Sequence, residues 1–196
     1  LIENVDLHLF GIVCSTVERW RQQYGKEISI SVNLNECAFN YEFFFNDYKE
    51  VYERNPCRKD CIEFELLESI ILNQVDQVNR VVNDITQFGF TCSVDDFGSG
   101  YSSYSVLTNP RITTLKIDRS LFRNDNDPRE KTLIRSIIQT AKELNMTTVA
   151  EGVETKEYVD FLKELGCDYV QGFYYYKPMS VEDFEELFVK NPIPSA

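Results

Sequence analysis

Histidine is almost missing from these 196 residues: His8 is the only one. It lies in an amphipathic helical pattern, where a surface or core-edge position is its ordinary role. Imidazole-activated serine or cysteine nucleophiles and histidine-rich metal centres are therefore improbable. Basic residues are also in deficit, 20 lysines and arginines against 32 acids, for a net charge of −12. That balance opposes the counterion release that holds nucleic-acid polymers, so a phosphate-bearing ligand needs positive charge imported as metal ions, and a small phosphorylated ligand stays open. No run of 18 apolar residues occurs, and Glu3, Asp6, Glu18 and Arg19 break the opening stretch, which is no signal peptide. A soluble, cytoplasmic segment is expected.

Six cysteines are present. Cys14, Cys37, Cys92 and Cys167 stand in apolar surroundings within regular patterns, as free buried thiols do. Cys57 and Cys61, in "NPCRKDC", have neither a second pair nor the histidines to complete a zinc site, and read as two loop thiols. With 43% hydrophobic residues the chain can bury a sizeable core as one domain, or most of one.

Two periodicities alternate along the chain. Helical patterns cover 2–24, 41–54, 71–88, 129–145, 155–165 and 180–190, the last entered through Ser180 as N-cap. Short apolar runs at 27–33, 61–67, 89–95, 112–118, 146–152 and 168–174 read as strands. Near-continuous apolar strands alternating with helices predict a parallel sheet covered by helices, either a barrel or a doubly wound sheet. The carboxyl ends of these strands carry Asn33, Glu65, Asp95 with Asp96, Lys116, Glu151 and Gln171. Polar loops explain any one of these positions, but a lysine and several acids beside apolar strand cores are costly unless paired or bound to metal. In a (β/α)8 barrel all strand ends converge on one face, which favours the barrel.

"SVDDFGSGYSS", 93–103, sets two adjacent carboxylates before a glycine-rich turn. A polar turn with Asp96 or Ser99 as helix cap is its bland explanation. Asn33, Glu65, Asp95, Asp96 and Glu151 together offer only oxygen donors, which suits magnesium, manganese or calcium rather than zinc. Two such ions about 3.5–4 Å apart are a general template for phosphodiester hydrolysis. Lys116 then orients or helps deprotonate water, or stabilises phosphate charge; a structural ion pair is its alternative role.

"SVNLN", "FELLES", "DDFGSGYSS", "LKIDRSL", "VAEGVET" and "QGFYYYKP" resemble, in order, the motifs of EAL domains, bacterial phosphodiesterases specific for cyclic di-GMP. The resemblance runs over 1–190, with 191–196 left as a C-terminal tail. It implies a TIM-like (β/α)8 barrel lacking its first strands and a two-metal Mg2+ or Mn2+ site. By position, it implies Asn33, Glu65, Asp95 and Asp96 as metal ligands and Lys116 as the lysine that activates water. It implies Glu151 as a catalytic glutamate, Gln171 as the glutamine completing the site, and Glu68 as the anchor of the loop after the paired aspartates. Asp118 and Glu154 fall in the same motifs with less weight. The Glu-Ala-Leu tripeptide itself is absent and is expected on a strand upstream of Leu1, in a longer protein. Leu67, Ser99 and Asn35 depart from the family's commoner threonine, threonine and serine, and "TNPRIT" shifts a proline.

The expected reaction is hydrolysis of cyclic di-GMP to linear diguanylate. The alternatives are a receptor that binds the dinucleotide without cleaving it and, from the residues alone, a metal-dependent barrel lyase or aldolase. Expected partners are cyclic di-GMP and fused sensory or GGDEF-type domains, with a homodimer left open and no nucleic-acid polymer.

Overall fold

The computed structural model of the chain describes residues 2–36, 44–100, 104–122 and 127–190. Cys37, residues 40–43, the end of the glycine-rich loop at 101–103 and the tail 191–196 lie outside them.

Six strands pair in parallel in chain order: β1 (Ile30–Asn33), β2 (Ile62–Leu67), β3 (Thr91–Phe97), β4 (Thr114–Ile117), β5 (Thr147–Ala150) and β6 (Tyr169–Val170). A doubly wound sheet would reverse direction at a switch point. The unbroken order β1-β2-β3-β4-β5-β6 has none, so the sheet is the wall of a TIM-like barrel, as expected. Alternation within each strand sorts its side chains. Phe64 and Leu66 on β2 and Cys92 and Val94 on β3 are fully buried toward the helices, while Glu63, Glu65, Ser93 and Asp95 take the other face.

Helix α1 (Ile2–Tyr24) buries Phe10, Cys14, Val17 and Trp20, one stripe at helical spacing. His8 on the same helix is exposed. α2 (Phe44–Arg54) buries Phe45 and Tyr48 in a cluster with Phe10, Phe64 and Phe90, so these aromatic residues form a core face. The helical pattern expected over 71–88 is two helices, α3 (Glu68–Asn73) and α4 (Val75–Phe88), separated by non-helical Gln74 at φ −135°. α5 (Pro128–Glu143) and α6 (Lys156–Leu165) follow β4 and β5, capped by Asp127 and Thr155. Cys57 lies in the loop after α2, as expected, while Cys61 ends a 3-10 turn, which corrects its reading as a loop thiol; both are buried members of the core.

The chain closes through α7 (Val181–Phe184). Ser180 accepts from the Asp183 amide as expected, and the helix then widens into a π turn over Glu185–Val189. Glu185 in that turn accepts from Trp20 Nε1 at 2.9 Å and pairs with Arg19 at 2.6 Å, tying the C-terminal helix to α1. Among the described residues no helix is long and apolar enough to cross a membrane.

Candidate functional site

β3 is longer than its apolar run suggests. It continues through Asp95 and Asp96 to Phe97, with a register shift against β4 between Val94 and Phe97. Asp96 stands inside this irregularity at φ +56°, a left-handed backbone that aspartate tolerates better than most residues. The extra residue aims both carboxylates of the pair toward the barrel mouth. Ligand oxygens of Asp95, Asp96 and Glu151 come within 4.8 Å of one another, close enough to share a metal ion.

Lys116 is placed among these acids by β4. Its Nζ is 2.6 Å from Glu65 Oε1, 2.6 Å from Glu151 Oε1 and 3.2 Å from Asp95 Oδ1, and only 7% of the residue is exposed. Burial opposes its charge, but hydrogen bonds to Glu151 and Glu65 prevail and raise its pKa, keeping it an ammonium. Glu65, Asp95, Asp96 and Glu151 against Lys116 leave the cluster strongly negative when all are ionised. The strain shows in two groups. Burial, with Asp95 beside it, raises the Asp96 carboxyl, and burial raises Glu151 despite its bond to Lys116. An all-oxygen, charge-deficient cluster of this kind fits hard divalent cations such as Mg2+ or Mn2+.

Glu68 opens α3 directly after β2 and is buried at 4% exposure. Its Oε2 accepts from the Gly98 amide at 3.2 Å, joining the anchor residue to the loop after the aspartates. Gly98 has φ +98°, and a Cβ there would lie 2.5 Å from Leu121 Cδ1. The left-handed backbone at this position is what favours glycine, since the tip of the Leu121 side chain could move aside. Asp118 accepts from the Ser120 amide at 2.9 Å, capping the 3-10 turn Arg119–Leu121, and its charge is among those that raise the Asp96 carboxyl.

Asn33, Glu154 and Gln171 stand further out. Asn33 ends β1 beside Glu65 in register, with its side chain exposed. Gln171 and Glu154 are exposed and line, with Glu65 and Lys116, a cavity of about 840 Å3. The Gln171 amide donates to Ala150 O at 2.8 Å and its carbonyl accepts from Val153, which fixes β6 against the loop carrying Glu154. The sequence reading missed Arg119, which lines the same cavity and lies against Gly152, where a Cβ would come within 2.4 Å of Arg119 Cβ. Its signal was its place in "KIDRSL", one residue after Asp118. Phe173 and Tyr176, from a motif in which only Gln171 was singled out, also line the cavity.

The EAL domain family model matches residues 1–178. Signaling protein YkoW of Bacillus subtilis is 28% identical over 193 residues, 98% of this chain and 24% of the relative. Cyclic di-GMP phosphodiesterase PdeR of Escherichia coli is 31% identical over 177 residues, 90% of this chain and 27% of the relative. The chain spans about a quarter of the length of these curated relatives. Among solved structures, the PaMucR phosphodiesterase in its c-di-GMP complex superposes with a TM-score of 0.86 at 28% identity, covering 94% of this chain and 75% of that one. Sequential parallel strands, a lysine enclosed by strand-end carboxylates and a match over residues 1–178 agree, and the chain belongs to the EAL domain family.

Proposed function

We propose that this chain hydrolyses cyclic di-GMP to linear diguanylate at the strand-end cluster, with a pair of Mg2+ or Mn2+ ions. The observation that carries this reading is Lys116 held between Glu65, Asp95 and Glu151, a buried cation within an excess of carboxylates, in a chain of the EAL family. Asn33, Glu65, Asp95 and Asp96 are the residues that would hold the ions. When bound, the ions polarise a phosphoryl oxygen and acidify water.

The chain's own groups divide the remaining work. Lys116, kept protonated by Glu151 and Glu65, donates to the attacking water and to the phosphate rather than removing a proton. Glu151, raised by burial and hydrogen-bonded to Lys116, is placed to accept the proton of that water. Water oxygen attacks one phosphorus, the bond from phosphorus to the sugar 3′ oxygen breaks, and that oxygen takes up a proton. Arg119 faces the dianionic ligand from the cavity wall, where Phe173 and Tyr176 offer stacking surfaces for guanine. Glu68 and Asp118 position the loop and Asp96, and Gln171 and Glu154 complete the cavity rim.

The same proposal places the chain in a cytoplasmic signalling protein with attached sensory or GGDEF-type domains. Its support is that relatives about four times longer include the oxygen sensor protein DosP and the bifunctional cyclase and phosphodiesterase MucR.

The test is chromatographic: full-length protein incubated with cyclic di-GMP and Mg2+ or Mn2+. Linear diguanylate that disappears with chelator and in Glu151→Gln is the expected result. Tight binding with no product, in folded protein, means a receptor and overturns hydrolysis.

A further inference from the structure

The loop that carries Glu151 runs through a slot one backbone thick, between the ends of β4 and β6. On one side stands Gly152 at φ +63°, where a Cβ would lie 2.4 Å from Arg119 Cβ. On the other, a Cβ at Gly172 would lie 2.0 Å from Val153 O, 2.4 Å from Val153 N and 2.7 Å from Val153 C. These are main-chain atoms, which cannot swing aside as the tip of a side chain can. Gly172 is not among the residues with a left-handed backbone, so space rather than conformation excludes a side chain there.

Hydrogen bonds close the slot from both strands. The Glu151 amide donates to Ile117 O at 3.0 Å, and the Gln171 amide donates to Ala150 O at 2.8 Å. Val153, fully buried, then meets the residues flanking Gly172 twice. Its amide donates to Gln171 O at 3.1 Å, and its carbonyl accepts from the Tyr174 amide at 3.2 Å. Gly172 lies inside the ring that these two bonds complete.

We infer that Gly172 is a positioning residue that holds Glu151 within hydrogen-bond reach of Lys116. A side chain at 172 has to push Val153 O from 2.0 Å to at least 3.0 Å before the contact is tolerable. Gly152 has no room to yield toward β4, because Arg119 Cβ already closes that side, so the displacement passes to Glu151. Glu151 Oε1 is 2.6 Å from Lys116 Nζ, a bond that a shift of this size breaks. The consequence for turnover rests on the proposed reaction, in which Glu151 accepts the proton of water; the placement of Glu151 does not.

Full-length Gly172→Ala is compared with the unsubstituted protein by crystallography and by turnover of cyclic di-GMP with Mg2+. Glu151 should lie beyond hydrogen-bond distance of Lys116, and kcat should fall about a hundredfold with KM little changed, the signature of a misplaced reacting group. Gly89→Ala, a left-handed helix cap at the opposite end of the barrel, is the control for lost stability and should keep its kcat. Glu151 still bonded to Lys116 with kcat intact, KM raised with kcat kept, or an equal fall in Gly89→Ala would each overturn the role. If Gly172→Ala does not fold, hydrogen exchange on the unsubstituted protein decides. Peptides containing the Val153 and Tyr174 amides should then be protected like strand amides, and exchange at free-loop rates overturns the clasp. An unsubstituted protein that makes no linear diguanylate counts against hydrolysis alone, since the separation of Glu151 and Lys116 in Gly172→Ala still decides the positioning.

Discussion

Lys116 Nζ lies 2.6 Å from both Glu65 Oε1 and Glu151 Oε1, so one ammonium on β4 joins the ends of β2 and β5 across the barrel mouth. Removing it leaves buried carboxylates facing one another. Lys116→Met should lower stability by about 3–5 kcal/mol in chelator, the usual consequence of deleting one member of a buried charged network. Saturating Mg2+ should narrow that deficit, and turnover should be lost. Urea unfolding with and without Mg2+ measures both changes.

Protons and metal should compete at a higher pH than ordinary carboxylates allow. The Asp96 and Glu151 carboxyls are raised by burial, so between their ordinary and raised pKa values the folded chain holds more protons than the unfolded one. Metal-free protein should therefore gain stability as pH falls through that window and lose it as pH rises, while Mg2+ affinity moves the opposite way. Thermal midpoints in chelator at stepped pH should show the trend, and Glu151→Gln should flatten it.

The proposed loop anchor is the contact of Glu68 with Gly98. Gly98→Ala imposes a side chain at φ +98° and within 2.5 Å of Leu121, and should cost about 1–3 kcal/mol. Glu68→Gln weakens the bond received from the Gly98 amide while leaving the helix in place, and should raise the Mg2+ concentration needed for half-maximal activity more than it lowers kcat. An unchanged metal requirement in folded Glu68→Gln would remove the anchor role.

Trp20 is the chain's one tryptophan and reports directly on the C-terminal tie. Glu185 has a lowered pKa because Trp20 donates to it and Arg19 pairs with it. A depressed carboxyl stabilises the fold above its unfolded pKa and loses that contribution as pH falls through the lower, folded value. Trp20 fluorescence should shift in that acid range, below the normal glutamate titration, and Glu185→Gln should abolish the step.

The sequence made a helix-covered parallel sheet legible because Phe64, Leu66, Cys92 and Val94 belong to short apolar runs whose acids fall at their ends, a pattern that survives without long-range information. Strand order was not legible: a barrel and a doubly wound sheet share the same periodicity, and only pairing separates them. Asp96 read as part of a turn because nothing local marks a bulge, which is created by the register of β3 against β4. The break at Gln74 was hidden by apolar spacing that continues through it. Cys57 was legible as a loop residue but not as a buried one, because burial of that loop depends on the fold around it rather than on its own neighbours in sequence. The likeness of motifs supplied the candidate residues, and geometry supplied how Glu68 reaches Gly98 and how Lys116 is held between Glu65 and Glu151.

The cluster draws Glu65 from β2, Asp95 and Asp96 from β3, Lys116 from β4 and Glu151 from the end of β5, so no shorter piece of the wall contains it. Each parallel pairing waits on a crossover helix, which makes assembly of the site late in folding. A chain arrested after β4 carries Glu65, Asp95 and Lys116 but not Glu151, and its incomplete mouth offers a poor grip on a cation. Under the proposed function, divalent ions would act as a selective ligand for the finished barrel, and by mass action would draw the folding equilibrium toward the one form in which all four strands are in register.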